Sequence, residues 1–161
     1  DGNKIPEQTI PQYYDKLGFS YNKFADSITV SETEWDFERY KPDIIVINLG
    51  TNDMNYATTD ERKAEFEDGY LDFLKKVRSL NPDSYIFQTY GVMGTSLEEN
   101  IENVRRKYMS ETGDERITFI PLTMQDEDAD GIVADWHPSP RTHSLVSQKV
   151  TAAIKKTLGY K

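Results

Sequence analysis

The chain has 161 residues, 37% hydrophobic and 29% charged, and its ten Tyr, seven Phe and two Trp are typical of a folded protein rather than a disordered tail. Its net charge of −9 repels phosphate polyanions, so nucleic acid is not expected as a partner. The absence of cysteine excludes disulfides, thiolate nucleophiles and zinc–thiolate sites. No apolar run reaches the roughly 18 residues of a membrane-spanning helix, so no membrane partner is expected.

The first predicted elements are a buried strand and an amphipathic helix. Residues 1–40 have few periodic apolar positions, so loops and a short helix are expected there. "PDIIVINLG", residues 42–50, predicts a strand, because such an apolar run is typical of strands buried on both faces of a parallel sheet. A capping box from Thr58 to Glu61 begins a helix that ends before "NPD". Its apolar positions are Phe66, Tyr70, Phe73, Leu74 and Val77.

Two further strand–helix pairs follow. "SYIFQTYG", residues 84–91, predicts a second strand, and a capping box from Ser96 to Glu99 begins the next helix. "RITFIPL", residues 116–122, predicts a third strand, and Ser139 with Pro140 marks the start of a last helix. The apolar positions of these helices are Leu97, Ile101, Val104 and Tyr108, then Val146, Val150, Ala153, Ile154 and Leu158.

The alternation of strands and helices predicts the fold class. It indicates an α/β protein, a three-layer αβα sandwich around a parallel, flavodoxin-like sheet. Such sheets place their chemistry beyond the carboxyl ends of the strands. Polar segments follow the predicted strands, "GTND" at 50–53, "GVMG" at 91–94 and "DWH" at 135–137. We therefore expect these segments to converge on one rim.

Gly50 and Asn52 are candidates for an oxyanion hole, a set of fixed hydrogen-bond donors that stabilises a developing negative charge. A glycine N–H and an amide side chain at a strand end supply such dipoles without a competing proton. The alternative is that Asn52 and Asp53 only cap the next turn.

His137 is the candidate general base. It is one of two histidines, it lies in a loop before a helix, and Asp135 two residues earlier could orient it. The alternative is a structural histidine bonded to the backbone. His143, in the opening turns of the helix, is assigned to packing or capping.

These motifs together resemble a known superfamily. "VINLGTND" and "DWHPS" are similar to the third and fifth sequence blocks of the SGNH (GDSL-type) hydrolases. Within that superfamily, "WDFERYKPDIIVINLGTND", "YGVMG" and "ADWHPSPRTH" are most similar to the family 2 carbohydrate esterases, which remove acetyl groups from plant polysaccharides. The resemblance covers residues 1–159. It implies a serine esterase acting on acetylated carbohydrate and favours a secreted bacterial protein, with a cytoplasmic location left open.

The resemblance also implies roles for individual residues. His137 would be the base, and Asn52 would complete an oxyanion hole with the N–H of the serine itself and a glycine of the second sequence block, without metal or cofactor. Asp135 is a candidate third member of the triad, although the superfamily usually has Asp three residues before the His. Some family 2 esterases use a Ser–His dyad whose His is held by a backbone carbonyl, so that arrangement stays open. The candidate substrate-binding residues are Trp136, Asp53 and Met93.

The serine nucleophile is the missing part of this pattern. The superfamily carries it in a "GDS" at the end of the first strand, and the lookalike here is Ser27 in "FADSITV". Ser27 lies closer to Gly50 than the roughly 30 residues of a parallel βαβ unit allow, and no apolar run precedes it. We therefore predict that residues 1–161 are the C-terminal portion of a single catalytic domain. An upstream N-terminal fragment would supply the first strand, the "GDS" serine and the glycine of the second sequence block.

Other functions stay open from the sequence. "DEDADG" is similar to the first half of a calcium-binding loop, but His137 replaces the Glu expected at the twelfth position, so an acidic surface loop is favoured. A second alternative is a non-catalytic carbohydrate-binding module, since Trp136, Tyr56, Tyr90 and Met93 could stack on sugar rings without hydrolysis. A third is a different SGNH acyl-ester hydrolase, lipase-like or thioesterase-like. A phosphate-binding receiver of the same architecture is disfavoured, because no acidic cluster or Gly-rich loop follows the first strand.

Overall fold

The computed structural model describes residues 9–19, 23–24 and 28–160. Its elements are α1 (Ile10–Tyr13), β1 (Lys23–Phe24), β2 (Ile28–Thr29), β3 (Ile44–Asn48), α2 (Asp60–Leu80), β4 (Tyr85–Tyr90), α3 (Glu98–Thr112), β5 (Ile117–Pro121), α4 (Glu127–Asp130) and α5 (Pro140–Leu158). Two 3-10 turns, Asp53–Asn55 and Ala134–Trp136, lie in the loops after β3 and α4. Within the described residues, none of the helices combines the length and apolar character needed to cross a bilayer.

The main sheet is parallel and has helices on both faces. Its strands lie in the order β3–β4–β5, with Ile47 opposite Gln88 and Gln88 opposite Phe119. The apolar side chains of α2 and α3 pack on one face of the sheet, and those of α5 pack on the other. β1 and β2 form a separate antiparallel pair. The predicted αβα sandwich with a parallel sheet is confirmed.

Burial differs sharply between the first and second strands of this sheet. β4 is buried along residues 86–90, as expected for a central parallel strand. In β3 only Ile47 is buried, and Val46 is 48% exposed. The prediction of a strand buried on both faces is therefore wrong for β3 in this chain. The physical reason is its position, because within the described residues β3 pairs with β4 alone and forms an edge of the sheet.

The start of a helix was harder to predict than its buried face. α2 begins one residue later than predicted, with Thr59 rather than Thr58 as the cap. The predicted capping box that begins at Ser96 is wrong, since α3 starts after Leu97 and has no side-chain cap. Leu97 is fully buried in the core, so packing of this side chain rather than a polar cap fixes where α3 begins.

Arg78 ties the end of α2 to the amino ends of β4 and β5. Its Nε donates to Asp114 Oδ2 at 2.7 Å, and both side chains are only 15% exposed. Its Nη1 donates to the carbonyls of Asn81 and Ser84 at 3.0 and 2.6 Å, and Nη2 donates to that of Arg116 at 3.2 Å. This network lies at the amino ends of the strands, whereas the polar loops lie at their carboxyl ends. It therefore contributes to stability and takes no part in the candidate site.

Arg78→Met is expected to lower the free energy of unfolding by about 2–4 kcal/mol, because it removes the cationic partner of a partly buried carboxylate and one donor from each of several carbonyls. Arg106→Met is the matched control, since Arg106 is 63% exposed in its ion pair with Glu102 and should cost less than about 1 kcal/mol. Urea denaturation measures both. Equal losses for the two variants would contradict the assignment.

The same network predicts a pH dependence. Burial opposes ionisation of Asp114, but the Arg116 N–H, the Tyr108 hydroxyl and the Arg78 guanidinium outweigh it and hold the pKa of the carboxyl below its usual value. A lowered pKa in the folded state stabilises the protein above the ordinary carboxyl pKa of about 4, and this stabilisation is lost as the pH falls through the lowered value. The cost of Arg78→Met should therefore shrink in strongly acidic buffer.

Candidate active site

β3 ends in a sharp turn that only glycine can make. Gly50 is buried with φ +117°, and a Cβ at this position would lie 3.1 Å from Cε2 of Tyr90 and 3.3 Å from Cδ1 of Ile101. The Gly50 carbonyl accepts the Met54 N–H at 3.0 Å. The chain thus leaves the sheet at Gly50 and presents the next residues, Asn52 among them, at the carboxyl end of the strand.

The two polar residues of this turn differ in surroundings. Asn52 is exposed, precedes the 3-10 turn, and makes no side-chain hydrogen bond that caps it. Capping therefore does not occupy its amide. Asp53 is exposed as a residue, yet surrounding protein atoms partly desolvate its carboxyl and raise its pKa, while its own backbone N–H opposes the shift. Burial also raises the pKa of Tyr70, and the nearby Asp53 charge adds to this shift.

The loop after β4 packs directly against this turn. A Cβ at Gly94 would lie 2.4 Å from the Met54 Sδ, and the Tyr90 hydroxyl donates to the same sulfur at 3.9 Å. Val92 has φ +69°, a left-handed conformation that is unusual for a β-branched residue. Met93, the candidate substrate contact, is partly buried beside Gly94. The first two predicted polar segments therefore meet around Met54.

His137 is held by a backbone carbonyl. Its Nδ1 lies 3.0 Å from the Ala134 oxygen, and since a carbonyl can only accept, Nδ1 is the donor; in the neutral imidazole the lone pair is then on Nε2. Asp135 and Trp136 have φ of 55° and 56° and are exposed. In the described part of the chain no hydrogen bond or ion pair joins Asp135 to His137. This is the carbonyl-held arrangement that the sequence left open.

The start of α5 fixes the far side of this loop. Ser139 caps the helix by accepting the Thr142 N–H, with Pro140 in the first turn, so the predicted start is confirmed. Ser139 Oγ also donates to the Asp130 carbonyl at 2.6 Å. His143 is exposed, so the packing role considered for it is wrong.

Two carboxylates of the acidic segment before the loop have structural partners. Asp126 caps α4 by accepting the Ala129 N–H at 2.9 Å, and Asp130 pairs with Arg141 at 2.7 Å. Among residues 9–19, 23–24 and 28–160, no three His, Asp or Glu side chains are grouped so as to hold a metal ion. The geometry gives no support to the calcium-loop alternative.

Gln125 is a site residue that the sequence did not reveal. Its N–H donates to the Val92 carbonyl at 2.9 Å, and its Nε2 donates to the Trp136 carbonyl at 2.8 Å. It thereby links the loop after β4 to the loop of His137, while Met54 links the loops after β3 and β4. Nothing in the sequence marks Gln125, because it belongs to no motif and stands in an irregular loop.

The nucleophile is not among the described contacts of the site. Ser27, the sequence lookalike, lies outside the described residues, and no described serine hydroxyl is hydrogen-bonded to His137. A cleft of about 840 Å³ lies between α3 and β5, and none of the candidate site residues lines it. Asn52 and His137 are instead exposed on an open rim.

The fold and this rim place the chain among the flavodoxin-like α/β sandwiches whose sites lie beyond the carboxyl ends of parallel strands. Comparison with known proteins narrows the class. The chain belongs to the GDSL-like lipase/acylhydrolase family, whose model matches residues 6–145.

Its relatives include several carbohydrate esterases. The chain is 35% identical over 148 residues to the cellulase/esterase CelE of Acetivibrio thermocellus, and this alignment covers 86% of this chain and 17% of that protein. An acetyl xylan esterase from the rumen bacterium Butyrivibrio proteoclasticus superposes with a TM-score of 0.83 at 25% identity, covering 94% of this chain and 46% of that one. A family two carbohydrate esterase from Clostridium thermocellum, solved in complex with cellohexaose, gives 0.78 at 32% identity, covering 98% and 46%. The chain therefore spans about half the length of these solved relatives.

Proposed function

We propose that this chain is the C-terminal portion of the catalytic domain of an SGNH-type serine esterase that removes O-acetyl groups from carbohydrate. The observation that carries the proposal is His137, whose Nδ1 bonds to the Ala134 carbonyl, so that in the neutral ring Nε2 is the nitrogen available to accept a proton. The similarity to family two carbohydrate esterases supports the substrate class. Polysaccharide substrates and bacterial relatives favour a secreted protein.

The proposed reaction is acyl transfer through an acetyl-enzyme. A serine oxygen attacks the acetyl carbonyl while His137 Nε2 takes the hydroxyl proton. The Asn52 amide and the Gly50 N–H stabilise the tetrahedral oxyanion. Its collapse breaks the ester C–O bond, and the sugar oxygen leaves with the proton from His137. Water, activated by the same imidazole, then hydrolyses the acetyl-enzyme. The residues in these roles require no metal or cofactor.

The residues next to the base have supporting roles in this proposal. The Ala134 carbonyl, rather than Asp135, orients the imidazole. Asp135 contributes a left-handed turn, a conformation that Asp adopts more readily than most residues. Trp136 is 65% exposed and would stack on a sugar ring, with Met93 and Asp53 as the further substrate contacts. That same exposed ring favours the alternative, a non-catalytic carbohydrate-binding module.

We further propose that an upstream segment completes the sheet along β3. The outer edge of β3 has no partner strand within the described residues, and Val46 is 48% exposed on the α5 side of the sheet. The apolar face of α5 is itself only partly buried, and Leu145 is 49% exposed. A free edge beside an uncovered apolar face is unfavourable in a parallel sheet. A strand followed by a helix would cover both and would bring the "GDS" serine beside the carboxyl end of β3.

The test compares this chain alone with the chain joined to, or mixed with, the segment encoded upstream of it. We expect acetyl release from p-nitrophenyl acetate only when the segment is present, and slower hydrogen exchange at the β3 amides that face away from β4. Mass spectrometry of the natural protein should detect the segment, either covalently linked or as a companion fragment. Full activity of the 161-residue chain alone would contradict the proposal.

A pair of variants tests where the segment docks. Val46→Lys should weaken its association, because the charge would be buried against the added strand and helix. Ile10→Lys is the matched control, because Ile10 is also 48% exposed but lies away from the proposed docking face. Ile10 belongs to α1, which contacts the α2 side of the sheet through the bond from Lys76 Nζ to the Pro11 carbonyl.

A further inference from the structure

Gln125 connects the loop of His137 to the end of β4 through both its backbone and its side chain. The backbone N–H bonds to the Val92 carbonyl, and Nε2 bonds to the Trp136 carbonyl at 2.8 Å. The side-chain Oε1 is buried and has no hydrogen-bond partner in the described part of the chain. Burying an unpaired amide oxygen is unfavourable, so the bond made by Nε2 has to offset that cost.

The carbonyl that Gln125 binds belongs to a strained turn. Asp135 and Trp136 both have left-handed φ angles, which Cβ sterics disfavour. The Trp136 carbonyl is part of the peptide that precedes His137, so rotation of this peptide would swing the imidazole. On the other side, the Val133 N–H donates to the His137 carbonyl at 2.9 Å. The His137 N–H also donates to the Ala134 carbonyl at 3.2 Å, so the peptide before the histidine is fixed by two hydrogen bonds, one of them from Gln125, and the peptide after it by one.

We propose that Gln125 is a positioning residue for His137, an inference that rests on the proposed function. In this role Gln125 does not contact the substrate. Its amide keeps Trp136 left-handed, so Nδ1 of His137 stays on the Ala134 carbonyl and Nε2 keeps its direction. The hydrogen bond from the Gln125 N–H to the Val92 carbonyl anchors this loop to the sheet, because Val92 lies two residues after the end of β4.

The test uses Gln125→Leu and Gln125→Glu in the catalytic protein that includes the upstream segment. Leu removes both polar atoms, and Glu keeps the shape while its carboxylate lacks the N–H donor. We expect each to lower kcat for p-nitrophenyl acetate by about 10- to 100-fold, with KM changed by less than about twofold, because a displaced base slows chemistry rather than binding. Gln148→Leu is the control and should keep wild-type kcat, since Gln148 bonds Ser144 Oγ on the exposed side of α5.

A second measurement separates this inference from the proposed function. NMR shifts of the imidazole nitrogens report which nitrogen carries the proton, and we expect Nδ1–H in the wild type and a mixture in both Gln125 variants. If the wild type hydrolyses no ester but the shifts change as expected, Gln125 positions His137 and the proposed function fails. If Gln125→Leu does not fold, Gln125→Glu is judged by the same two measurements. Unchanged kcat and unchanged imidazole shifts in a folded variant would overturn the inference.

Discussion

Replacing His137 with Ala in the complete catalytic protein is expected to lower kcat for acetyl release by about 10⁴-fold. The reason is that one imidazole serves both half-reactions, accepting the serine proton and returning it to the leaving sugar oxygen. His137 is exposed and its side chain is bonded to one carbonyl, so stability should fall by no more than about 1 kcal/mol. Initial rates with p-nitrophenyl acetate and a thermal melt measure the two effects separately.

Two further variants serve as comparisons for His137→Ala. Asp135→Asn should lose less than about tenfold in kcat, because the Ala134 carbonyl orients the ring, whereas a true triad carboxylate is worth about 10⁴-fold. His143→Ala removes the other histidine from the exposed start of α5 and should change nothing. Equal turnover by wild type and His137→Ala would instead favour the carbohydrate-binding module.

The layers of the fold could be predicted from the sequence because buried positions are apolar and recur with the period of the helix or strand that contains them. The apolar positions assigned to α2, including Phe73 and Val77, are the residues that pack on the sheet, and the run that predicted β4 is buried along its length. The same reasoning failed for Val46, because an apolar run predicts burial on both faces only for a strand inside a sheet with both neighbours present. Within the described residues β3 is an edge strand, and the upstream strand that we propose would cover this apolar run.

The candidate site was predictable where side-chain chemistry carries it and not where the backbone does. Asn52 and His137 stand in motifs whose residue types are tied to acyl transfer. The Ala134 carbonyl leaves no trace in the sequence, since any residue presents the same oxygen, and only the left-handed turn at Asp135 and Trp136 brings it to Nδ1. Gln125 is hidden for a related reason, because its role depends on a contact across 11 residues of irregular loop.

Asn52→Ala is the second variant with a large expected effect, a loss of about 10² to 10³ in kcat. The oxyanion is present only on the way to and from the tetrahedral intermediate, so a donor aimed at it lowers the barrier without tightening substrate binding, and KM should change little. The Asn52 side chain is exposed and makes no capping hydrogen bond, so truncation should change stability by less than about 0.5 kcal/mol.

Asn52→Asp tests the same role through charge rather than through loss of a group. Asp has nearly the size of Asn, but an ionised carboxylate offers no N–H and repels a second negative charge. It should therefore be at least as slow as Asn52→Ala, whereas Asn55→Ala, in the same exposed turn, should keep wild-type kcat. Wild-type turnover by Asn52→Ala would assign the stabilisation of the oxyanion to backbone dipoles alone, those of Gly50 and of the upstream segment.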